Sequence, residues 1–463
     1  MKLKYNALVL AMISAIQLTG CGGGGGGSNE GTPLTETRPV QTPTTSSTPT
    51  PAPVQLAPFA VRTIQKNQCS STAVSVDVIF HDEDGAFISS QKTNTNGQLE
   101  TGIPHNARHA SFVLKTTDDQ NRLHTQIKTV LNVQDGFEVD ALVFNDPNTC
   151  GCNDITYDLE TLSAQLPNAN LHNVAATHVN LNNGQSELYA CVPERQKLLF
   201  THSDTGYKGG LFDTSKPSTL TLSDEQFTAL GTPLDLSNLS FKPNHFVTLT
   251  SYVGNEAVYD VTVNEAEVNQ AFDEPHDKLV TFNELDTISY LSTAKFDETF
   301  TGNGFVRTHS YALSRIDSEG HTHQTQLFDN NEAYNSVYNY FEQTAASDDS
   351  MNVTFDFKSA HSRLDALVFR TTWSDFNHGN SSWYIFSDGQ DVVPDIRFGA
   401  IIPSDSVSFS DFSMEIILLD LNTDQNFDDI RELYFESAES FQKRVDSELF
   451  DGMASYSLTV SEQ

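Results

Sequence analysis

Asp420, Asn422, Asp424, Asn426 and Asp428 put an oxygen side chain at every second position of a loop that follows the apolar run 416–419. Ca²⁺ takes six to eight oxygen ligands at roughly 2.3 to 2.6 Å, and alternate residues of a tight loop can turn inward together to supply them. Asp420, Asn422, Asp424 and Asp428 would ligate through side chains and Asn426 through its carbonyl. The same spacing also suits a solvated acidic turn. An ion held this way locks a loop more often than it performs catalysis, so calcium is the one expected cofactor and its role is structural. His321-Thr322-His323 sets two imidazoles on one face of a strand, half of a transition-metal set that His309 or His361 would have to complete. Paired surface histidines are the plainer account of it. Trp373 and Trp383 are the only tryptophans; they flank the turn-rich stretch 374–382 and are followed by Tyr384. Such rings stack on sugars when a sandwich face presents them, and fill cores when it does not. No G-x-S-x-G, H-E-x-x-H or G-x-x-x-x-G-K-[ST] pattern occurs, and the one G-x-G-x-x-G match is the polyglycine 22–27, which follows no strand. Carboxylate pairs for glycoside hydrolysis are abundant among 61 acids, but only spatial separation would identify one.

The elements that must hold these residues are strands. The 463 residues allow two to four domains at roughly 100 to 200 residues each, and 30 Phe with 14 Tyr supply apolar surface for their cores. From residue 59 onward, short runs rich in Val, Ile, Thr, Tyr and Phe alternate with Asp-Gly, Asn-Gly and Asn-Asn turns, at 74–80, 111–116, 246–250, 257–263, 351–357, 367–371 and 414–419. Helical spacing is confined to 436–449, with Phe441, Val445 and Leu449 four apart, and to a short turn at 223–229 that Ser223 could cap. The expected fold is mainly β, with two to three antiparallel β-sandwich modules in tandem: 59–148, 149–285 and 286–463. The stretch 21–58 runs through six glycines into Ser, Thr and Pro and can build no core, so it should be a disordered linker. A formal net charge of −35 argues against nucleic acid and anionic headgroups as partners of the body.

The first 21 residues carry a delivery signal. Lys2 and Lys4 precede the apolar run 7–16, which is too short to cross a bilayer of about 30 Å and reads as a secretory signal peptide. Leu18-Thr19-Gly20-Cys21 resembles the lipobox of bacterial lipoproteins. The resemblance implies cleavage before Cys21, a diacylglyceryl thioether on its sulfur and a third acyl chain on the new N-terminus, which together anchor firmly. Gly22 rather than Asp after the cysteine implies the outer membrane. The first module resembles carboxypeptidase-regulatory-like and related Ig-like domains, through the strand at 74–80, the turn Asp82-Glu83-Asp84-Gly85, the strand at 86–93, Thr95-Asn96-Gly97-Gln98 and Ile103-Pro104. Such modules act as spacers or adhesive stems. The loop at 420–428 resembles the D-x-[DN]-x-[DN]-x-x-x-D calcium loops of extracellular proteins, with Gln425 where those have Gly.

Export puts Cys69, Cys150, Cys152 and Cys191 in an oxidising compartment, where four cysteines allow three connectivities. Bridging Cys150 to Cys152 would be strained. Of the two long-range connectivities, the favoured one pairs Cys69 with Cys150, which would tie the first module, and Cys152 with Cys191, which would staple the second; a Cys₄ zinc site is the competing use of the four. Taken together these features predict an outer-membrane-anchored lipoprotein that displays β-sandwich modules for adhesion, assembly or ligand binding, with glycan or envelope protein as partner. The competing prediction is an enzyme or binding protein for polysaccharide built around Trp373, Trp383 and Tyr384.

Overall fold

The computed structural model describes residues 58–67, 71–133, 136–148, 151–174, 178–192, 194–236, 246–254, 256–263, 278–301, 304–322, 328, 330–346, 354–375, 378–402, 411–421, 427 and 451–462. The lipobox with Cys21, the linker, Cys69, Cys150, His323, Asn422, Asp424, Asn426, Asp428 and the helix expected at 436–449 lie outside these residues.

The chain is mainly β. Its first eight strands are β1 (Pro58–Lys66), β2 (Ser71–Ala73), β3 (Asp77–His81), β4 (Phe87–Lys92), β5 (Gln98–Gly102), β6 (His109–Thr117), β7 (Leu123–Val130) and β8 (Glu138–Asn145). The next twelve are β9 (Asn153–Asp158), β10 (Asn170–His172), β11 (Val179–Asn180), β12 (Glu187–Val192), β13 (Gln196–Ser203), β14 (Gly206–Asp213), β15 (Ser218–Thr221), β16 (Ala229–Leu230), β17 (Thr232–Pro233), β18 (Phe246–Val253), β19 (Glu256–Val263) and β20 (Val280–Thr281), with helix α1 (Glu160–Gln165) after β9. The last eight are β21 (Ile288–Thr301), β22 (Gly304–Arg315), β23 (Thr354–Asp356), β24 (Ala366–Asp375), β25 (His378–Ser387), β26 (Gln390–Val392), β27 (Asp411–Asp420) and β28 (Met453–Glu462). Helices α2 (Asn330–Ala346) and α3 (Phe357–Ala360) lie between β22 and β24.

One sheet organises the rest. It has twelve strands in the order β19-β18-β21-β22-β28-β27-β24-β25-β7-β6-β3-β4 and draws from the beginning, middle and end of the chain. The boundaries expected near 148 and 285 do not interrupt it. Its centre is apolar on both faces, so β27 reads as a near-continuous hydrophobic run: Ile416 and Leu418 enter one core, Ile417 and Leu419 the other. The first core closes under α2, which inserts Ala333, Val337, Tyr340 and Phe341, and under Phe355, Phe357 and Leu364. The second is a sandwich in which Val78, Phe80, Phe112, Val368 and Phe386 meet Phe59, Val61, Leu142 and Phe144 of a four-stranded sheet made by β2, β1, β5 and β8. Farther along, β13 separates two smaller cores: Leu198 and Phe200 pack toward β18 and β19, while Leu199 packs with Tyr157, Leu162 and Phe212. The disulfide Cys152–Cys191, with α-carbons 5.2 Å apart, fastens this layer by joining the residue before β9 to β12. It is the pairing favoured above for the second module.

Local detail follows the sequence with three differences. Gly85 and Gly97 take the positive φ expected of their turns, and a β-carbon on Gly85 would sit 2.5 Å from the carbonyl oxygen of Asp395. Ser223 opens a 3-10 turn, its N–H donating to Gln226 Oε1 at 2.8 Å. The strand at 74–80 starts only at Asp77, because 74–76 lead into it as irregular backbone. Within the described part of 351–357 the strand ends at Asp356, because Asp356 caps α3 by accepting from the Ser359 N–H at 2.9 Å. The 17-residue α2 is a helix that the β-prone composition of its sequence conceals.

Every pairing in the large sheet is antiparallel except β7 with β25, the seam that joins the N-terminal sandwich to the C-terminal strands. Side chains cross it on both sides. Trp383 Nε1 donates to Thr129 Oγ1 at 2.9 Å, and a buried polar chain continues through Ser111 Oγ at 2.8 Å to His81 Nε2 at 2.8 Å. At the far end His124 contacts the Asp118 carboxylate at 3.0 Å and the Asn380 carbonyl oxygen at 2.9 Å. Its ring lies against Gly379, where an added β-carbon would fall 2.1 Å away. Gly379→Ala is therefore expected to lower the urea midpoint, and His124→Ala to cancel most of that cost. Additive losses in the double mutant would contradict the contact.

Burial pushes His81 down to about 4, with neighbouring His109 acting in the same direction. Folded His81 stays neutral where the unfolded chain protonates, so its contribution is complete above about pH 6.5 and is lost as pH falls toward 4. Between those values this one group should cost up to about 1.4 kcal/mol per pH unit. Urea unfolding of His81→Gln should show a shallower pH slope than the parent, and equal slopes would refute the assignment.

Candidate ligand-binding face

Directly opposed residues of neighbouring strands share a face. On the sandwich side of the large sheet, one row of such positions runs Glu298, Arg307, Thr459, Glu415, Arg370, Tyr384, Lys128, across seven strands from β21 to β7. Toward β3 the face disappears beneath the sandwich core. Toward β21 it carries rings and charges in place of aliphatic side chains. From Glu298 to Arg370 the charges alternate in sign and pair. Arg307 binds the Glu298 carboxylate through Nε at 2.7 Å and through Nη2, and Arg370 Nη1 lies 3.3 Å from Glu415. Arg370 and Lys128 then bracket the Tyr384 ring at 5.6 and 5.8 Å, within the range of a cation–π contact.

The next row holds Phe296, His309 and Ser457 in register. Phe296 and His309 stack at 4.1 Å with an interplanar angle of 7°, Phe246 meets Phe296 edge-on at 6.0 Å, and Tyr311 meets His309 at 6.0 Å. Phe246 and Phe296 are 42% and 49% exposed, unusual for phenylalanines in mid-sheet. Arg307 also covers the Phe305 ring at 4.9 Å. Burial lowers the His309 pKa, and Arg307 reinforces the shift against the opposing pull of Glu415, so the imidazole is neutral at pH 7. His309 Nε2, Ser457 Oγ and Arg370 Nε have no hydrogen-bond partner within the protein. Buried polar atoms nearly always have one, and an unmade hydrogen bond costs roughly 1 to 3 kcal/mol.

The residues singled out in the sequence are dispersed. Trp383 is buried and Trp373 half-buried against the α2-side core, whereas Tyr384 lies on the other face. The three do not form one platform, and the ring evidence for a polysaccharide-processing groove goes with them. The reason is strand parity: 373 and 383 fall on one side of the β24–β25 pair and 384 on the other. Asp420 is buried at the end of β27 and ion-paired with Arg363, so a cation using its carboxylate must share it with a guanidinium. His321 contacts Asp317 at 3.5 Å and Glu319 at 3.6 Å, while His361 lies under α2 at 3.2 Å from Ser336 Oγ. Among the described residues no three His, Cys, Asp or Glu side chains converge as a metal site. The aromatic and ion-pair rows escaped the sequence reading, although Phe305, Arg307, His309 and Tyr311 recur at period two, a strand face of rings and charge.

Rings that serve a surface differ from rings that build a core in what their removal costs. Trp383→Ala should destabilise the fold by about 3 to 5 kcal/mol. Phe296→Ala should stay within about 1 kcal/mol. Denaturant unfolding of the two variants checks this, and comparable losses would assign Phe296 to the core.

No protein-family model matches the chain, and no curated protein matches it. Among solved structures it is similar to "The Bacillus anthracis TIE protein", at 8% identity and a TM-score of 0.14, over 59% of this chain and 51% of that one. It is also similar to the native conformation of Escherichia coli alpha-2-macroglobulin, at 8% identity and a TM-score of 0.10, over 78% of this chain and 27% of that one. The chain thus spans about half the length of the first and about a quarter of the second. Likenesses at these scores carry no argument about fold or function.

Proposed function

We propose that this chain is an outer-membrane lipoprotein whose β-rich body is displayed for adhesion, assembly or ligand binding and is not itself catalytic. The observation that carries the reading is the face just described, where exposed rings and paired charges occupy a sheet that could have been closed with aliphatic side chains. The lipobox at 18–21 supplies the anchor and the Gly/Thr/Pro stretch the spacing. At about 3.1 Å per residue, an extended Pro-rich segment holds an acidic body clear of an anionic surface. Cys21→Ser should release soluble protein on cell fractionation, and persistent membrane association of that variant would end the anchoring claim.

Calcium belongs to the same proposal as a structural ion at Asp420, Asn422, Asp424, Asn426 and Asp428. An ion bound only by the folded state raises Tm, by several degrees when it is present at about 100 times its Kd. Melting curves with calcium and with chelator should separate accordingly, and coincident midpoints would remove calcium from the account.

A further inference from the structure

We infer that the row from Glu298 to Tyr384 binds a neutral, linear glycan lying across the strands. The inference rests on the reading of this chain as a displayed ligand-binding protein and names the ligand class.

Charge narrows the choice first. From Glu298 to Arg370 the charges match, Glu298 with Arg307 and Glu415 with Arg370, so this part of the strip offers no net field to an ion, and Lys128 adds a positive charge only at the Tyr384 end. The chain at −35 repels polyanions at longer range. That disfavours acidic polysaccharide, nucleic acid and anionic headgroups together. A purely apolar partner fits poorly too, because covering the strip would desolvate four charges.

What remains is a ligand with flat apolar faces and many hydroxyls. The exposed Phe296 and Phe246 rings can lie against the C–H face of a pyranose, and Tyr384 offers a further ring toward the other end. The paired guanidinium and carboxylate groups present donors and acceptors side by side, the arrangement that adjacent hydroxyls complement. Length argues for a chain rather than a single sugar. From β21 to β25 the row crosses six strands, roughly 24 Å at about 4.8 Å per strand.

The test is isothermal titration of the full-length protein in detergent with four- to six-unit oligosaccharides of cellulose, amylose, xylan and mannan type, and with oligogalacturonate as the acidic control. At least one neutral oligosaccharide is expected to bind. Phe296→Ala and Arg307→Ala should each weaken it at least about fivefold, while Tyr189→Ala, an exposed ring on β12, should leave it unchanged. Several outcomes would overturn the inference: no binding by any neutral oligosaccharide, equal or tighter binding of oligogalacturonate, or binding that neither substitution weakens. Concentration-dependent self-association abolished by Phe296→Ala would also overturn it, by assigning the rings to a contact between copies. Failure of any of these kinds while Cys21→Ser still releases the protein removes the glycan and leaves the anchored-display reading standing.

Discussion

The parallel pairing of β7 with β25 decides the shape of everything around it, because it makes strands from opposite ends of the chain into one hydrogen-bonded surface. Without it the N-terminal strands would end in an open edge, and so would β25, and long unpaired edges invite association with other chains. Parallel pairing cannot be closed by a tight hairpin and needs a long connection. Here the connection is most of the protein: the His124 contact to Asn380 spans 256 positions. Five strands of the intervening chain, β18, β19, β21, β22 and β24, extend the same sheet, and β27 and β28, which follow β25, link β22 to β24 within it. The polar groups at the seam fit this role, since the Trp383–Thr129 hydrogen bond crosses it and continues through Ser111 to His81 only in a single register.

How much of this is legible in sequence depends on whether the signal is local. Strands such as β18 and β27 announce themselves by composition and bounding turns, and the turns at Gly85 and Gly97 by their dipeptides. The Cys152–Cys191 bridge belongs to one of the three connectivities that four cysteines allow, the one favoured because it staples the second module. Helix α2 is harder. Asn, Tyr, Val and Phe dominate its sequence, and intrinsic preference points toward strand and turn. Only the spacing of Ala333, Val337, Tyr340 and Phe341 carries the helical period, and burial against the sheet overrides the propensity. The seam is illegible for a different reason: nothing in 123–130 or 378–387 specifies its partner, and both read as ordinary strands with neighbours of their own.

The same distinction explains the candidate face. Trp373 and Trp383 attract notice as rare residues, yet parity in β24 and β25 turns them toward the apolar layer under α2. Phe296, Arg307 and Arg370 attract none, because 30 phenylalanines and 26 basic residues make each of them ordinary. They become a feature only when register sets Glu298 opposite Arg307 and Glu415 opposite Arg370. Register follows from the order of strands in the sheet, so a site that crosses strands is invisible until that order is known. Candidate ligands carried within one short stretch of sequence, such as 420–428, are visible early for the opposite reason.

Solubility alone does not account for the ion-pair row. A partly open sheet face does need protection against association, and charged side chains provide it. Unpaired charges of one sign would serve that purpose better in an already acidic protein, because they repel a second copy. Pairing gives up that repulsion and also costs the entropy of holding two long side chains in one geometry, for a return of about 0 to 1 kcal/mol at a surface. Placing exposed phenylalanines beside the pairs works against solubility as well. Rings left uncovered and charges neutralised in pairs are each unfavourable for an isolated surface. Both become favourable together when a neutral, hydroxyl-bearing ligand covers the face, and for this reason we read the row as a binding surface and not as a solvated one.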